Sequence, residues 1–258
     1  MQDNSQYDSY QPSQNPPPGA PVAVKLPGKK PVVTHVLIGV TVFFYLLQSL
    51  ALSFNIGGYT SLLQLGGKFN DLILQGELWR LFTPALLHGN LLHIAFNMYA
   101  LYSLGSSLER YYGHRRFLLL YVIGAFCGNT LSFLLSPKAS IGASTAVFAL
   151  VAAEGVFIYR NRSLFGRRAR SMLTNLGLII AVNLVIGLQP GIDNWGHLGG
   201  LIGGALFAWF AGPLLRVQTN FNGYELADTS EKQGLMWGIL LSAGLFIALV
   251  IGKFIGAT

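Results

Sequence analysis

Apolar residues fall in seven runs of roughly membrane-spanning length, near 35–55, 86–106, 116–136, 143–159, 171–189, 195–215 and 235–256. The fourth run is short and the sixth is rich in glycine. Between the first and second lies a long connection, about 56–85, ending in "GELWRLFTPALLH". It is moderately apolar and is expected to lie partly in the membrane interface. This pattern predicts an all-α membrane protein. Residues 1–33 differ: "QDNSQYDSYQPSQNPPPGAP" is polar, Pro-rich and without periodicity, and reads as a disordered tail. It has no apolar stretch followed by a cleavage site, so the first apolar run is expected to serve as the membrane-insertion signal.

Composition sharpens this picture. Hydrophobic residues make up 52% of the chain and charged ones only 10%, where soluble domains carry about 25% charge. The 31 glycines suit close helix packing in lipid. Cys127 is the single cysteine, so no intramolecular disulfide forms, and its place inside an apolar run reads as a small core hydrophobe.

The net charge of +7 raises the question of nucleic acid. Its distribution answers it. With the N-terminus in the cytoplasm, the inside segments hold Lys25, Lys29, Lys30, Arg110, Arg115 and Arg116. They also hold Arg160, Arg162, Arg167, Arg168, Arg170, Arg216 and Lys232. The outside segments hold only Lys68, Arg80, Lys138 and Lys253. Lys and Arg accumulate on cytoplasmic loops, so the charge reads as topology and attraction to anionic lipid. No nucleic-acid partner is expected; a multi-pass protein of the cell membrane is.

In this topology the second, fourth and sixth runs all start in the outer leaflet, and there the unusual polar residues gather. The second run opens "HGNLLHIAFN", with His88, His93 and Asn97; the fourth opens "GAST", with Ser144; the sixth opens "NWGHLGG", with His197. His35 and His114 fall at the cytoplasmic ends and read as solvated. Any one polar residue in a membrane helix is most simply an interhelical hydrogen bond. A Ser, two His and an Asn at one depth point to a site.

Ser and His form a workable pair, because a serine hydroxyl attacks only when a nearby base takes its proton. Asp193, four residues before His197, is expected to be solvated, which leaves a dyad of Ser144 and His197. His93 and Asn97 share one helix face and both can donate to an oxyanion, as can a free N–H at a helix start. A metal on His93 and His197 lacks a third ligand, and no cofactor is expected. His197, Gly200 and Gly204 form H-x-x-G-x-x-x-G, which places both glycines on one face, ready to pack against the fourth run at Gly142, Ala143 and Ala146. Phe148, one turn below Ser144, reads either as a ring stacked beneath the imidazole or as an ordinary apolar residue facing lipid or core. Glu154, low in the fourth run, has no catalytic role assigned.

These residues resemble the rhomboid family of intramembrane serine proteases from about Leu37 to Leu215. The matching features are Trp79-Arg80; His88 and then His93-x-x-x-Asn97; Glu109-x-x-x-Gly113; Gly142-Ala-Ser144; and His197-x-x-Gly200-x-x-x-Gly204. The resemblance implies a Ser144–His197 dyad, with His93, Asn97 and the Ser144 backbone as oxyanion donors. It implies that Trp79 and Arg80 belong to a structural loop half-sunk in the outer leaflet, and that Glu109 stabilises the end of the second helix. It implies cleavage of single-pass transmembrane substrates near the outer leaflet. The domains expected are a tail at 1–33, a six-helix protease core at 34–215, and a linker with a seventh helix at 216–258. One departure stands out. The family usually has glycine after the serine, and Thr145, larger and stiffer, stands there. The rival readings are a non-catalytic rhomboid-like protein that binds and routes membrane clients, and a transporter, which the lack of an internal repeat and the one-sided polar cluster disfavour.

Overall fold

The computed structural model describes residues 24–25, 29–53, 58–220 and 223–256. Its helices are α1 (Val32–Ser53), α2 (Gly58–Gly66), α3 (Asn70–Leu74), α4 (Leu91–Leu135), α5 (Ser144–Arg160), α6 (Arg162–Phe165), α7 (Arg168–Ile186), α8 (Asn194–Ala211) and α9 (Gly234–Ile255). A small sheet adds β1 (Val24–Lys25), β2 (Leu215–Asn220) and β3 (Gly223–Asp228). Two short 3₁₀ turns, Leu78–Leu81 and Thr83–Leu86, complete the connection between α1 and α4.

α4 covers the second and third apolar runs in one element. It breaks at Gly113, whose φ of 73° and ψ of 162° are not helical. A left-handed φ favours glycine, so the sequence places its punctuation where the chain must turn. Among the described residues, four helices are long and apolar enough to cross a membrane: Val32–Ala51, Leu91–Leu135, Arg168–Ile186 and Gly234–Ile255. The protein is a multi-pass membrane protein. Its apolar window in α4 is 67% buried, whereas that in α7 is 6% buried. So α4 is core, while α1, α7 and α9 turn side chains such as Phe43, Leu178, Val182 and Ile251 outward, where lipid replaces protein as their apolar surroundings.

α5 and α8 form the centre with α4, and their small residues explain how. A Cβ on Gly200 would lie 2.1 Å from the Thr145 carbonyl oxygen, and one on Gly204 would lie 2.5 Å from Ala149. Those two glycines seat α8 on α5, as the spacing predicts. Gly199 and Gly203 do the same against Cys127 of α4, on the adjacent face. α8 is thus clamped on two sides by backbone approach, which only glycine allows.

The bundle has two distinct ends. At one, residues 58–90 meet 136–144 through paired backbone bonds between Lys68 and Ser140 (3.0 and 3.2 Å) and a bond from Gly142 N–H to the Pro84 carbonyl (2.8 Å). At the other, Glu109 receives the backbone N–H groups of Val33 (2.8 Å) and Thr34 (2.7 Å), and Leu215 N–H donates to Asn161 Oδ1 at 2.7 Å.

Several expectations change here. The segment 216–233, read as linker, holds the antiparallel hairpin β2–β3, registered from Leu215 opposite Asp228 to Asn220 opposite Gly223. β1 joins β3 in parallel, so Val24 and Lys25 of the expected tail are a strand. The alternation of Leu215 and Val217 with Arg216 and Gln218 is too brief to signal a strand unaided. The rest of the tail up to residue 23, and 26–28, lie outside the described residues. α1 starts at Val32, inside the segment assigned to the tail. The second helix starts at Leu91 rather than 86, because Asn90 caps it, its side chain accepting from His93 N–H at 2.9 Å. His88 therefore precedes the helix.

Candidate active site

Ser144 is the first residue of α5 and His197 lies in the first turn of α8. The close approach of these helices brings Ser144 Oγ and His197 Nε2 to 3.0 Å. That is hydrogen-bond reach between a hydroxyl and a ring nitrogen. Phe148 stacks on the imidazole with ring centroids 4.1 Å apart and planes 11° from parallel. The ring is held flat, and 7% of His197 remains exposed. Its Nδ1 is buried and has no partner among the described residues.

Asp193 explains why no acid reaches that nitrogen. It is not a solvated loop residue: Oδ1 accepts from Gly196 N–H at 3.0 Å, capping α8, and Oδ2 accepts from Ser132 Oγ at 2.5 Å. Both carboxylate oxygens are engaged in fixing the start of α8 against α4. The acid fixes the helix that carries His197 and makes no hydrogen bond to the ring.

Gly142 shapes the approach to Ser144. Its φ is 128°, and a Cβ there would lie 2.7 Å from His93 Nε2. His93 therefore overhangs the turn that presents Ser144. Asn97 Nδ2 donates to the His93 carbonyl at 2.9 Å; a primary amide carries a second N–H. The site-end bonds described above hold the chain before Ser144, and Ala143 N–H adds one to His88 Nε2 at 3.3 Å. Since Nε2 accepts, the ring proton is on Nδ1. The His88 backbone is itself held by the Gln48 amide (3.2 and 3.4 Å).

Thr145 fits where crowding was expected. It points away from the site, between α4 and α8. A Cβ on Gly128 would lie 2.5 Å from the Thr145 Cβ, and one on Gly196 would lie 3.0 Å from its Cγ2. The volume added at 145 is returned by glycines at 128 and 196, so Ser144 keeps its place.

The loop residues are structural in their contacts. Trp79 is half-exposed and its Nε1–H donates to the Leu65 carbonyl at 3.0 Å. Arg80 is buried: Nε donates to Glu77 Oε2 at 2.6 Å and a terminal nitrogen to the Gly67 carbonyl at 2.8 Å. Glu109 caps the start of α1 and lies 2.6 Å from His114 Nδ1 across the Gly113 break; it also accepts from Thr34 Oγ1 at 2.7 Å. Glu154 Oε2 is buried without a hydrogen-bond partner among the described residues. Among the described residues, no three His, Cys, Asp or Glu side chains converge as a metal site.

Lys68 escaped the sequence reading. Its ammonium is fully buried and donates to the carbonyls of Ser132 (3.3 Å), Ser136 (2.9 Å) and Lys138 (2.7 Å). It caps the C-terminal end of α4, where a cation offsets the orphan carbonyls. Burial lowers its pKa to about 8, with the Asp193 charge pulling it back up. Its backbone holds Ser140 and its side chain holds Ser132, the partner of Asp193. One residue thus braces the segments leading to both Ser144 and His197. A lysine in "GGKFN" carries no signal of this, since its partners lie over 60 positions away.

A family model of the rhomboid domain matches residues 75–214. The chain is 40% identical over 227 residues to rhomboid protease GluP of Bacillus subtilis, covering 86% of this chain and 40% of that protein. It is 36% identical over 197 residues to RHOMBOID-like protein 4 of Arabidopsis thaliana, covering 72% of this chain and 49% of that one. With the chloroplastic RHOMBOID-like protein 9 of the same plant it shares 35% over 164 residues, or 63% of this chain and 38% of that one. The chain spans about two fifths to half the length of these curated relatives.

Proposed function

The chain belongs to the rhomboid family, and from that premise we propose that it is an intramembrane serine endopeptidase cleaving transmembrane segments near the outer leaflet. The observation that carries this reading is the 3.0 Å contact between Ser144 Oγ and His197 Nε2 at adjoining helix starts. The protease name of the Bacillus subtilis relative adds support.

In this reading Ser144 attacks the scissile carbonyl and its proton passes to His197 Nε2. The oxyanion of the tetrahedral intermediate is met by the N–H groups at the start of α5, by the His93 ring and by the free N–H of Asn97. His197 returns the proton to the leaving amine, and water entering from the nearby outer face hydrolyses the acyl-enzyme. No acid bonds Nδ1, so the imidazole is positioned by its stacking against Phe148 and by the helix start that Asp193 caps. The substrate is a single-pass protein whose helix unwinds locally, because an intact helix hides its carbonyls. The topology is a six-helix core over 34–215 with α9 as a seventh span, the N-terminus in the cytoplasm and the site near the outer face of the cell membrane.

Cleavage of a panel of single-pass substrates by purified protein in liposomes, with Ser144→Ala alongside, tests the proposal. Cleavage by wild type and none by the variant is expected. A folded wild type that cuts no substrate would overturn it in favour of a client-binding protein.

A further inference from the structure

At the end of the bundle away from Ser144, a cavity of about 490 Å³ opens where the α4 break, the hairpin and the start of α9 meet. Lys29, Arg110, Arg115 and Arg116 line it, and Asp228 is the acid in its wall. Arg116 is committed to Asp228 at 2.6 Å. Asp228 also accepts from the N–H groups of Ser230 (2.9 Å) and Leu214 (3.1 Å). Burial opposes its ionisation, but these bonds outweigh that and hold it below its usual range. His114 is committed to Glu109. Lys29, Arg110 and Arg115 have no ion pair among the described residues.

Three uncompensated cations therefore share one concavity. Its location is set by backbone, because Lys29 Nζ lies 3.3 Å from where a Cβ on Gly113 would stand. The left-handed break leaves the space that the ammonium fills. Beside the cations the half-buried Leu226 and Leu235 add apolar surface to a wall that also holds Tyr111 and Tyr112. Guanidinium and ammonium groups lining one cavity are the donors that phosphate oxygens accept from. Basic pockets between membrane helices on the cytoplasmic side suit anionic head groups.

We propose that this cavity is a binding site for a phosphate-ester anion, with an anionic phospholipid of the adjoining leaflet as its source. The two leucines beside the cations favour a lipid over free phosphate, since they offer apolar surface to the chain that follows the head group.

The test uses the full chain in nanodiscs containing phosphatidylglycerol and phosphatidylcholine, followed by native mass spectrometry of retained lipid. Wild type is compared with Lys29→Gln/Arg110→Gln/Arg115→Gln and with Arg162→Gln/Arg167→Gln/Arg170→Gln, which removes three cations of the same end outside the cavity. Wild type and the control are expected to retain phosphatidylglycerol over phosphatidylcholine, and the cavity variant to lose at least ~10-fold of it. Binding of inorganic phosphate instead, lost in the cavity variant alone, would support the anion site and reassign its source. Equal loss in both variants, or no selectivity in wild type for either anion, would overturn the site. Circular dichroism checks folding, and Arg110→Gln alone replaces the triple variant if that one unfolds.

Discussion

At one end of the bundle the segments that carry Ser144 and His197 are tied down by hydrogen bonds, Asp193 to Gly196, Ala143 to His88 and Lys68 to three carbonyls, while Nδ1 of His88 and of His197 are buried with no partner among the described residues. At the other end Lys29, Arg110 and Arg115 have no ion partner among the described residues, on a sheet-capped face. Both ends are polar, and both lie on the same helices. The difference is that a buried polar group gains much from a partner and is fixed by the one it finds, whereas charges meeting water or head groups need none. The fixed end is suited to holding reacting atoms within a fraction of an ångström. The loose end is suited to attracting ions.

Substitutions should therefore act through activity at the first end and through binding or nothing at the second. The largest effect is expected for His197→Ala. Turnover should fall at least ~10⁴-fold while the helical circular dichroism spectrum is retained; full activity would show that the base is another residue. Next comes Gly142→Ala. Its Cβ must displace His93 and sits at an unfavourable φ, so kcat should fall by roughly 10²–10³-fold, the usual cost of one lost oxyanion donor. Unchanged kcat would show that the position of His93 does not matter.

Lys68→Met should act on stability and activity together. It strands buried carbonyls, at about 1–3 kcal/mol, and loosens the segment before Ser144. It also changes the pH dependence. Between about pH 8 and the ordinary 10.5, the unfolded chain holds a proton on Lys68 that the folded chain has released. More protons on the unfolded state mean that stability rises with pH across this window. Thermal melts of wild type should show that rise and melts of Lys68→Met should lack it. The smallest effect is expected at the loose end. Arg116→Gln breaks a partly exposed ion pair with Asp228 and should cost about 0–1 kcal/mol with no change in cleavage rate.

The comparison also explains what could be read from the sequence. Ser144 and His197 were legible because a hydroxyl and an imidazole interrupt otherwise oily runs at their starts, and because α8 advertises its close packing as glycines every four positions. The helices themselves were legible from run length. Gly199 and Gly203, which seat the opposite face of α8, were not singled out, since their partner Cys127 lies far along the chain. Lys68 and Gln48 were invisible for the same reason: a polar residue in a loop or a helix shows its type but not what it caps. Thr145 looked like a hazard in sequence because the space it occupies is supplied by Gly128 and Gly196, distant in the chain. The hairpin was missed because two alternations do not distinguish a strand from a linker.

The most direct test of the account is a serine-directed fluorophosphonate applied to the purified protein, with the adduct located by peptide mass spectrometry. A single adduct on Ser144, absent from both Ser144→Ala and His197→Ala, is the result expected if these two side chains act as one unit. An adduct that persists in Ser144→Ala, or a folded and substrate-cleaving wild type in which Ser144 stays unmodified, would contradict it.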